Sequence, residues 1–107
     1  MSALTDNLRR QCDGPRDGAL LRFSLGNALL GEGDAAAAII QLERSLTFDP
    51  AYSAAWKLLG RACLDVGRPE AAADAWRRGI TAARHRGDKQ AEKEMTVFLR
   101  RLQKSPP

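Results

Sequence analysis

The feature that most constrains this chain is an internal repeat with a period of 34 residues. Residues 19–52 align without a gap over residues 53–86, and nine aligned positions are identical. Both copies contain Leu-Gly-x-Ala-x-Leu-x-x-Gly, followed after three further positions by Ala-Ala. A repeat of this length indicates one supersecondary unit that buries its apolar face by stacking against its neighbour.

Composition and spacing predict that each repeat is a pair of helices. The chain has 18 Ala and 14 Leu but only two Val and three Ile, so good helix formers far outnumber the β-branched residues typical of strands. Each copy begins with an apolar face around a Leu-Gly pair and turns at a second glycine, Gly33 or Gly67. A second apolar stripe then follows at i, i+4 and i+8: Ala38, Leu42 and Leu46 in one copy, and Ala72, Trp76 and Ile80 in the other.

These residues resemble the tetratricopeptide repeat (TPR) family, whose 34-residue unit has Trp-x-x-Leu-Gly-x-x-Tyr, then Ala, Phe, Ala and Pro. The second copy has Trp56, Leu59 and Gly60, then Cys63 in the tyrosine place, Ala72 and Trp76, with Gly79 for the later alanine. The first copy has Leu25 and Gly26, Leu29 for the tyrosine, Ala38 and Leu42, Ser45 for the alanine, and Pro50.

Two further positions depart from the family pattern. Arg22 stands where the first copy should have its tryptophan, which indicates a repeat at the edge of the stack. Arg84 replaces the proline of the second copy, so we expect the last hairpin helix to run on unbroken.

The resemblance implies an all-α, right-handed solenoid of helical hairpins with about five helices. We expect one domain over 1–107, made of an N-terminal helix or cap at 1–14, repeats at 19–52 and 53–86, and a capping helix at 88–104 begun by Asp88. In the N-terminal helix, Leu4, Leu8 and Cys12 share one face. This helix is too short to be stable unless it packs against the rest of the protein. Residues 105–107 are expected to be a frayed tail.

The sequence shows no catalytic or metal-binding constellation. His85 has no Cys, Asp or Glu at ligand spacing, and Cys63 occupies a core position of its repeat. We therefore expect no enzyme activity, cofactor or metal. Two cysteines, no signal-like start and a longest apolar run of six residues, at 35–40, predict a cytoplasmic protein without a membrane span.

The family resemblance implies a noncatalytic protein-interaction module, a scaffold or adaptor, because the first helix of each TPR hairpin lines a groove that holds partner segments. The matching positions are Phe23, Asn27 and Leu30 in the first copy, and Lys57, Arg61 and Leu64 in the second. Some family members clamp a terminal carboxylate there with Lys, Asn and Arg. Asn27, Lys57 and Arg61 match part of that set, whereas Phe23 stands in place of a lysine.

The residues alone leave other interpretations of this groove open. Lys57 and Arg61 could be ordinary solvated charges, and Phe23 could pack under the N-terminal helix. Self-association into a homo-oligomer is a further alternative, because two repeats leave apolar ends that weak caps cover incompletely.

Uneven charge supports a different alternative, in which the basic C-terminal third binds nucleic acid or an acidic partner. Residues 1–76 carry 8 Lys or Arg and 10 Asp or Glu, whereas residues 77–107 carry 9 and 3. A solvated cap is favoured over nucleic-acid binding, because Phe98 is the only aromatic residue among these cations and it belongs to the apolar stripe of the capping helix.

Overall fold

The computed structural model describes residues 2–104, and six helices form this part of the chain. They are α1 (Ala3–Gln11), α2 (Ala19–Gly31), α3 (Ala35–Phe48), α4 (Ser53–Asp65), α5 (Pro69–Arg86) and α6 (Lys89–Lys104). The expectation of about five helices is corrected to six here, because the short N-terminal segment does form a docked helix. The predicted frayed tail at 105–107 lies outside the described residues.

Local sequence signals explain where the helices begin and end. Asp34 caps α3 by accepting a hydrogen bond from the Ala37 N–H at 3.2 Å, and Pro69 occupies the first turn of α5, where no N–H is needed. Gly33 and Gly67 turn the chain with φ angles of 82° and 77°, in the left-handed region that other residues rarely adopt.

The two predicted stripes lie in the core and are confirmed. Ala38, Leu42, Leu46, Ala72, Trp76 and Ile80 are all buried. Gly26 and Gly60 permit close approach within each hairpin, because a Cβ atom on Gly26 would lie 2.8 Å from Leu42 Cγ and one on Gly60 would overlap the Trp76 indole. The repeated Leu-Gly pair therefore sets how closely the helices of a hairpin pack.

The last helix of the second hairpin runs on unbroken, as expected from the arginine that replaces the proline of the family pattern. Helix α5 continues through Arg84 to Arg86 and ends at Gly87, whose φ is 75°. Asp88 then caps α6 by accepting from the Ala91 N–H at 3.1 Å and also receives the Ser53 hydroxyl at 2.8 Å. Helix α6 packs on α5 through Ala91 and Met95, both buried.

Helix α1 docks through two of its three predicted positions, Leu8 and Cys12, but not through Leu4. Leu4 is 60% exposed, whereas Thr5 is fully buried, so the inward positions are Thr5, Leu8 and Cys12. Glu32, in the α2–α3 turn, explains the difference: its carboxylate accepts from the Thr5 hydroxyl at 2.7 Å and from the Ser2 N–H at 2.6 Å. Polar bonds rather than a leucine therefore orient the start of α1.

Arg22 is buried in the place where the family has tryptophan. Its guanidinium pairs with both carboxylate oxygens of Asp17 at 2.8 Å, reaches Asp13 at 3.3 Å and donates to Gln41 Oε1 at 2.9 Å. These bonds hold the pKa of the Asp17 carboxyl well below its ordinary value, chiefly through the Arg22 hydrogen bonds. The network joins the α1–α2 loop to α2 and α3.

Candidate protein-binding surface

Helices α2, α4 and α6 follow one another along one side of the stack, with α4 contacting both of the others. We call this side the α2–α4–α6 face. The six residues predicted for the groove lie on two of its helices: Phe23, Asn27 and Leu30 on α2, and Lys57, Arg61 and Leu64 on α4. Each triple has i, i+4, i+7 spacing, so its members lie along one side of their helix.

At the beginning of α2 and α4 the α2–α4–α6 face is aromatic and apolar. The ring centroids of Phe23 and Tyr52 are 5.2 Å apart, so Phe23 packs on the residue before α4. Leu20, three residues before Phe23, is 68% exposed. Sequence reasoning missed Leu20, although its i−3 spacing from Phe23 places it on the same side of α2.

In the middle of the α2–α4–α6 face, Lys57 is already paired within the chain. Its Nζ lies 3.2 Å from Oε1 of Glu94 on α6, and both side chains are about one-third exposed. Asn27 is exposed at the neighbouring position of α2. A partner carboxylate that approaches Lys57 must therefore compete with Glu94.

At the far end of the α2–α4–α6 face, residues of α4, α5 and α6 line an open pocket of about 340 Å³. The pocket is lined by Arg61, Leu64, Trp76, Phe98, Arg101 and Leu102. The Trp76 and Phe98 ring centroids are 5.4 Å apart, and the indole N–H donates to the Lys57 carbonyl at 3.1 Å. Arg61 and Arg101 thus stand beside aromatic and aliphatic surface.

Sequence reasoning missed the contribution of α6 to this pocket. Phe98 and Leu102 belong to the predicted core stripe, and both are only half-buried. In the sequence, Arg101 is simply one of the nine Lys and Arg residues of 77–107 that predict a basic cap. The i, i+3, i+4 spacing of Phe98, Arg101 and Leu102 was a usable signal, since it places the three on neighbouring sides of one helix.

The nine C-terminal cations do not form one basic surface. Arg78 lies 3.1 Å from Asp74, Arg86 makes two 3.0 Å hydrogen bonds to Asp49, and Arg84 pairs with Glu92 at 2.6 Å. A shallow depression of about 660 Å³ gathers only four of the nine: Arg84, Lys89, Lys93 and Arg100. It lies on a different face of α6 from the pocket.

The residues considered for chemistry are placed apart from one another. Cys63 is buried, and burial raises the pKa of its thiol. His85 is exposed near the end of α5. Across residues 2–104, no group of three or more His, Cys, Asp and Glu side chains is arranged to hold a metal ion. None of the six described helices is long and apolar enough to cross a membrane.

Comparisons with known proteins agree with this architecture. The family model for the tetratricopeptide repeat matches residues 29–86. A TPR repeat-containing protein from Pseudomonas aeruginosa is 53% identical over 89 residues, covering 83% of this chain and 85% of that protein.

Two solved structures show the same arrangement of helices. The solution structure of a protein from Bordetella parapertussis is 43% identical, covers 95% of this chain and 89% of that one, and has a TM-score of 0.81. The solution structure of a tetratricopeptide repeat domain protein from Salinibacter ruber shares the fold at 24% identity, with a TM-score of 0.75 over 84% of this chain and 90% of that one. The chain therefore belongs to the tetratricopeptide repeat family.

Proposed function

We propose that the α2–α4–α6 face binds a segment of another protein that carries an apolar side chain next to a carboxylate. TPR domains bind other proteins in general, so what is specific here is the chemistry of the face. The observation that carries the proposal is the pocket between α4 and α6, where Arg61 and Arg101 stand beside the rings of Trp76 and Phe98.

This pocket combines the two properties that anchor a peptide side chain. The half-buried Phe98 ring, which packs on the buried Trp76, offers a stiff contact surface, and apolar anchors in such pockets supply most of the binding energy of an interface. A guanidinium pairs with carboxylate through two parallel hydrogen bonds, which fixes orientation. A residue with an apolar side chain and a nearby carboxylate satisfies both.

The rest of the face supports an extended partner rather than a single buried residue. Helix α4 has 13 residues and is about 20 Å long, so a segment that reaches from the pocket to Phe23 contacts several of its own residues along the way. At the Phe23 end, Leu20 and the Phe23–Tyr52 pair present apolar surface. The partner therefore has acidic character at one end and apolar character at the other.

The test uses peptides selected from a displayed random library against the native protein. Trp56→Phe leaves Trp76 as the single tryptophan, so the emission of Trp76 reports on occupancy of the pocket directly. We expect Arg61→Glu to weaken binding about tenfold or more, because it places like charge beside the partner carboxylate. Binding of free-acid and amidated forms of each peptide distinguishes a terminal carboxylate from an acidic side chain.

The matched control is Arg77→Glu, an exposed arginine on α5 that makes the same change in net charge outside the pocket. It should bind the peptides within about twofold of the native protein, because Arg77 is not among the residues that line the pocket. Equal binding by native protein and Arg61→Glu would show that the pocket is not the site.

Three predictions from the sequence remain part of this proposal. They are the division into cap, two repeats and capping helix, the cytoplasmic location, and the absence of catalysis. Self-association is the competing function, and light scattering over a concentration series separates the two: a constant monomer mass supports binding of another protein. A mass that doubles with concentration, together with loss of peptide binding, supports self-association.

A further inference from the structure

The depression on the outer side of α6, which we call the outer trough, has a chemistry of its own. It is lined by Arg84, Lys89, Gln90, Glu92, Lys93, Thr96, Val97 and Arg100. Its volume, about 660 Å³, is larger than that of the α4–α6 pocket. The two sites share no lining residue.

The charges that line the outer trough are unbalanced. Arg84 is neutralised by Glu92 at 2.6 Å. Lys89, Lys93 and Arg100 are exposed and make no ion pair within residues 2–104. They lie at i, i+4 and i+11 on α6. Measured along the helix axis, Lys93 is therefore about 6 Å from Lys89, and Arg100 is about 16 Å from Lys89.

Val97 gives the outer trough an apolar centre. It is 41% exposed and lies between Lys93 and Arg100 on the same side of α6, whose buried contacts come from Ala91 and Met95 on another side. Apolar surface ringed by cations matches a partner that carries carboxylates around one apolar side chain.

We infer that the outer trough docks an acidic segment of a partner protein, with carboxylates on Lys89, Lys93 and Arg100 and an apolar side chain against Val97. Charge complementarity selects this occupant. Single-stranded nucleic acid fits less well, because none of the eight residues in the trough is aromatic and bases therefore find no stacking platform. This site is independent of the function proposed for the α2–α4–α6 face.

The probe is a synthetic peptide of about 14 residues built from Glu, Leu and Ala, which as a helix spans the row of cations. The same peptide with Gln in place of Glu is the neutral control. Titration into isotope-labelled native protein should shift the backbone amide resonances of residues 84–100 with the acidic peptide and not with the neutral one. Affinity should fall several-fold between about 50 and 200 mM salt.

Two triple variants with equal loss of charge locate the binding. Lys89→Gln, Lys93→Gln and Arg100→Gln together should weaken binding about fivefold or more. Arg9→Gln, Arg10→Gln and Arg16→Gln, exposed cations near the other end of the chain, should change it by less than about twofold. Circular dichroism melts of both triples verify that each is folded, as expected for exposed positions.

Several outcomes overturn the inference. Equal weakening by both triples would show that only net charge matters, and shifts confined to Arg61 and Arg101 would assign the peptide to the other site. Tighter binding of a single-stranded oligonucleotide than of the peptide at residues 84–100 would make nucleic acid the occupant. Dimerisation that buries residues 84–100 would make a second copy the occupant.

Discussion

The indole of Trp76 lies directly against the bare Cα of Gly60. A Cβ atom on Gly60 would be 2.6 Å from Cδ1 of Trp76 and nearer still to Nε1, which itself donates to the Lys57 carbonyl at 3.1 Å. Because Trp76 also lines the pocket beside Arg61, the glycine that packs the hairpin also positions the aromatic wall of the candidate site. Stability and binding are thus linked through Gly60.

Gly60→Ala should lower the free energy of unfolding by about 2 kcal/mol, because the buried indole cannot move away from a new methyl group. Gly60→Leu should abolish cooperative folding. Gly31→Ala is the matched control, since a Cβ there meets no atom within 4 Å, and we expect a change within about 0.5 kcal/mol. Urea denaturation followed by circular dichroism measures all three, and a native-like midpoint for Gly60→Leu would refute this packing.

Arg22→Leu should lower the melting temperature by about 10 °C or more, because it leaves the Asp17 carboxylate without its cation. Asp17→Asn added to Arg22→Leu should recover part of the loss, since the amide needs no counter-charge. Differential scanning calorimetry of the native protein, the single variant and the double variant provides the comparison. A double variant no more stable than the single one would contradict the role given to this pair.

Acid should destabilise the protein progressively below about pH 5, and the loss should continue below pH 3 because the pKa of Asp17 is the most strongly lowered. Hydrogen bonds with Arg22, Thr5 and Arg86 lower the pKa of Asp17, Glu32 and Asp49, respectively, and the Ala91 N–H and Ser53 lower that of Asp88. Each carboxylate then stabilises the fold above its unfolded pKa, and that contribution is lost as the pH falls through the lower folded pKa. Glu32→Gln should lower the melting temperature at pH 7, and the melting temperature of this variant should change less with pH than that of the native protein. An equal change with pH in both proteins would argue against the contact between Glu32 and α1.

Glu94→Gln should strengthen binding of acidic peptides to the α2–α4–α6 face by about two- to fivefold, because it removes the carboxylate paired with Lys57. The gain should shrink in high salt. Glu43→Gln, an exposed glutamate on α3, makes the same change in net charge away from this face and should have little effect. Peptide titrations followed by Trp76 fluorescence compare the affinities of the two variants. An equal gain in affinity for both would show that only overall charge matters.

Local signals were sufficient for most of the architecture. The Leu-Gly pairs, the apolar stripes and the turn glycines recur at a fixed period, and each acts within a few residues of its own position. The helices of both hairpins and the capping role of Asp88 could therefore be predicted. The inward position of Thr5 in place of Leu4 could not, because Thr5 bonds to Glu32, which lies 27 residues further along the chain.

By itself the sequence determined the helical repeat, the buried stripes and which residues share one side of α2 or of α4. These follow from the periodicity of residues within a single helix. Only the tertiary structure decided which charges meet across helices. It paired Lys57 with Glu94, placed Arg101 beside Arg61, and separated both from the cations of the outer trough. Such pairings depend on the distance between helices and on their relative rotation. Both are set by the packing of side chains that are remote in sequence, such as that of Trp76 on Gly60.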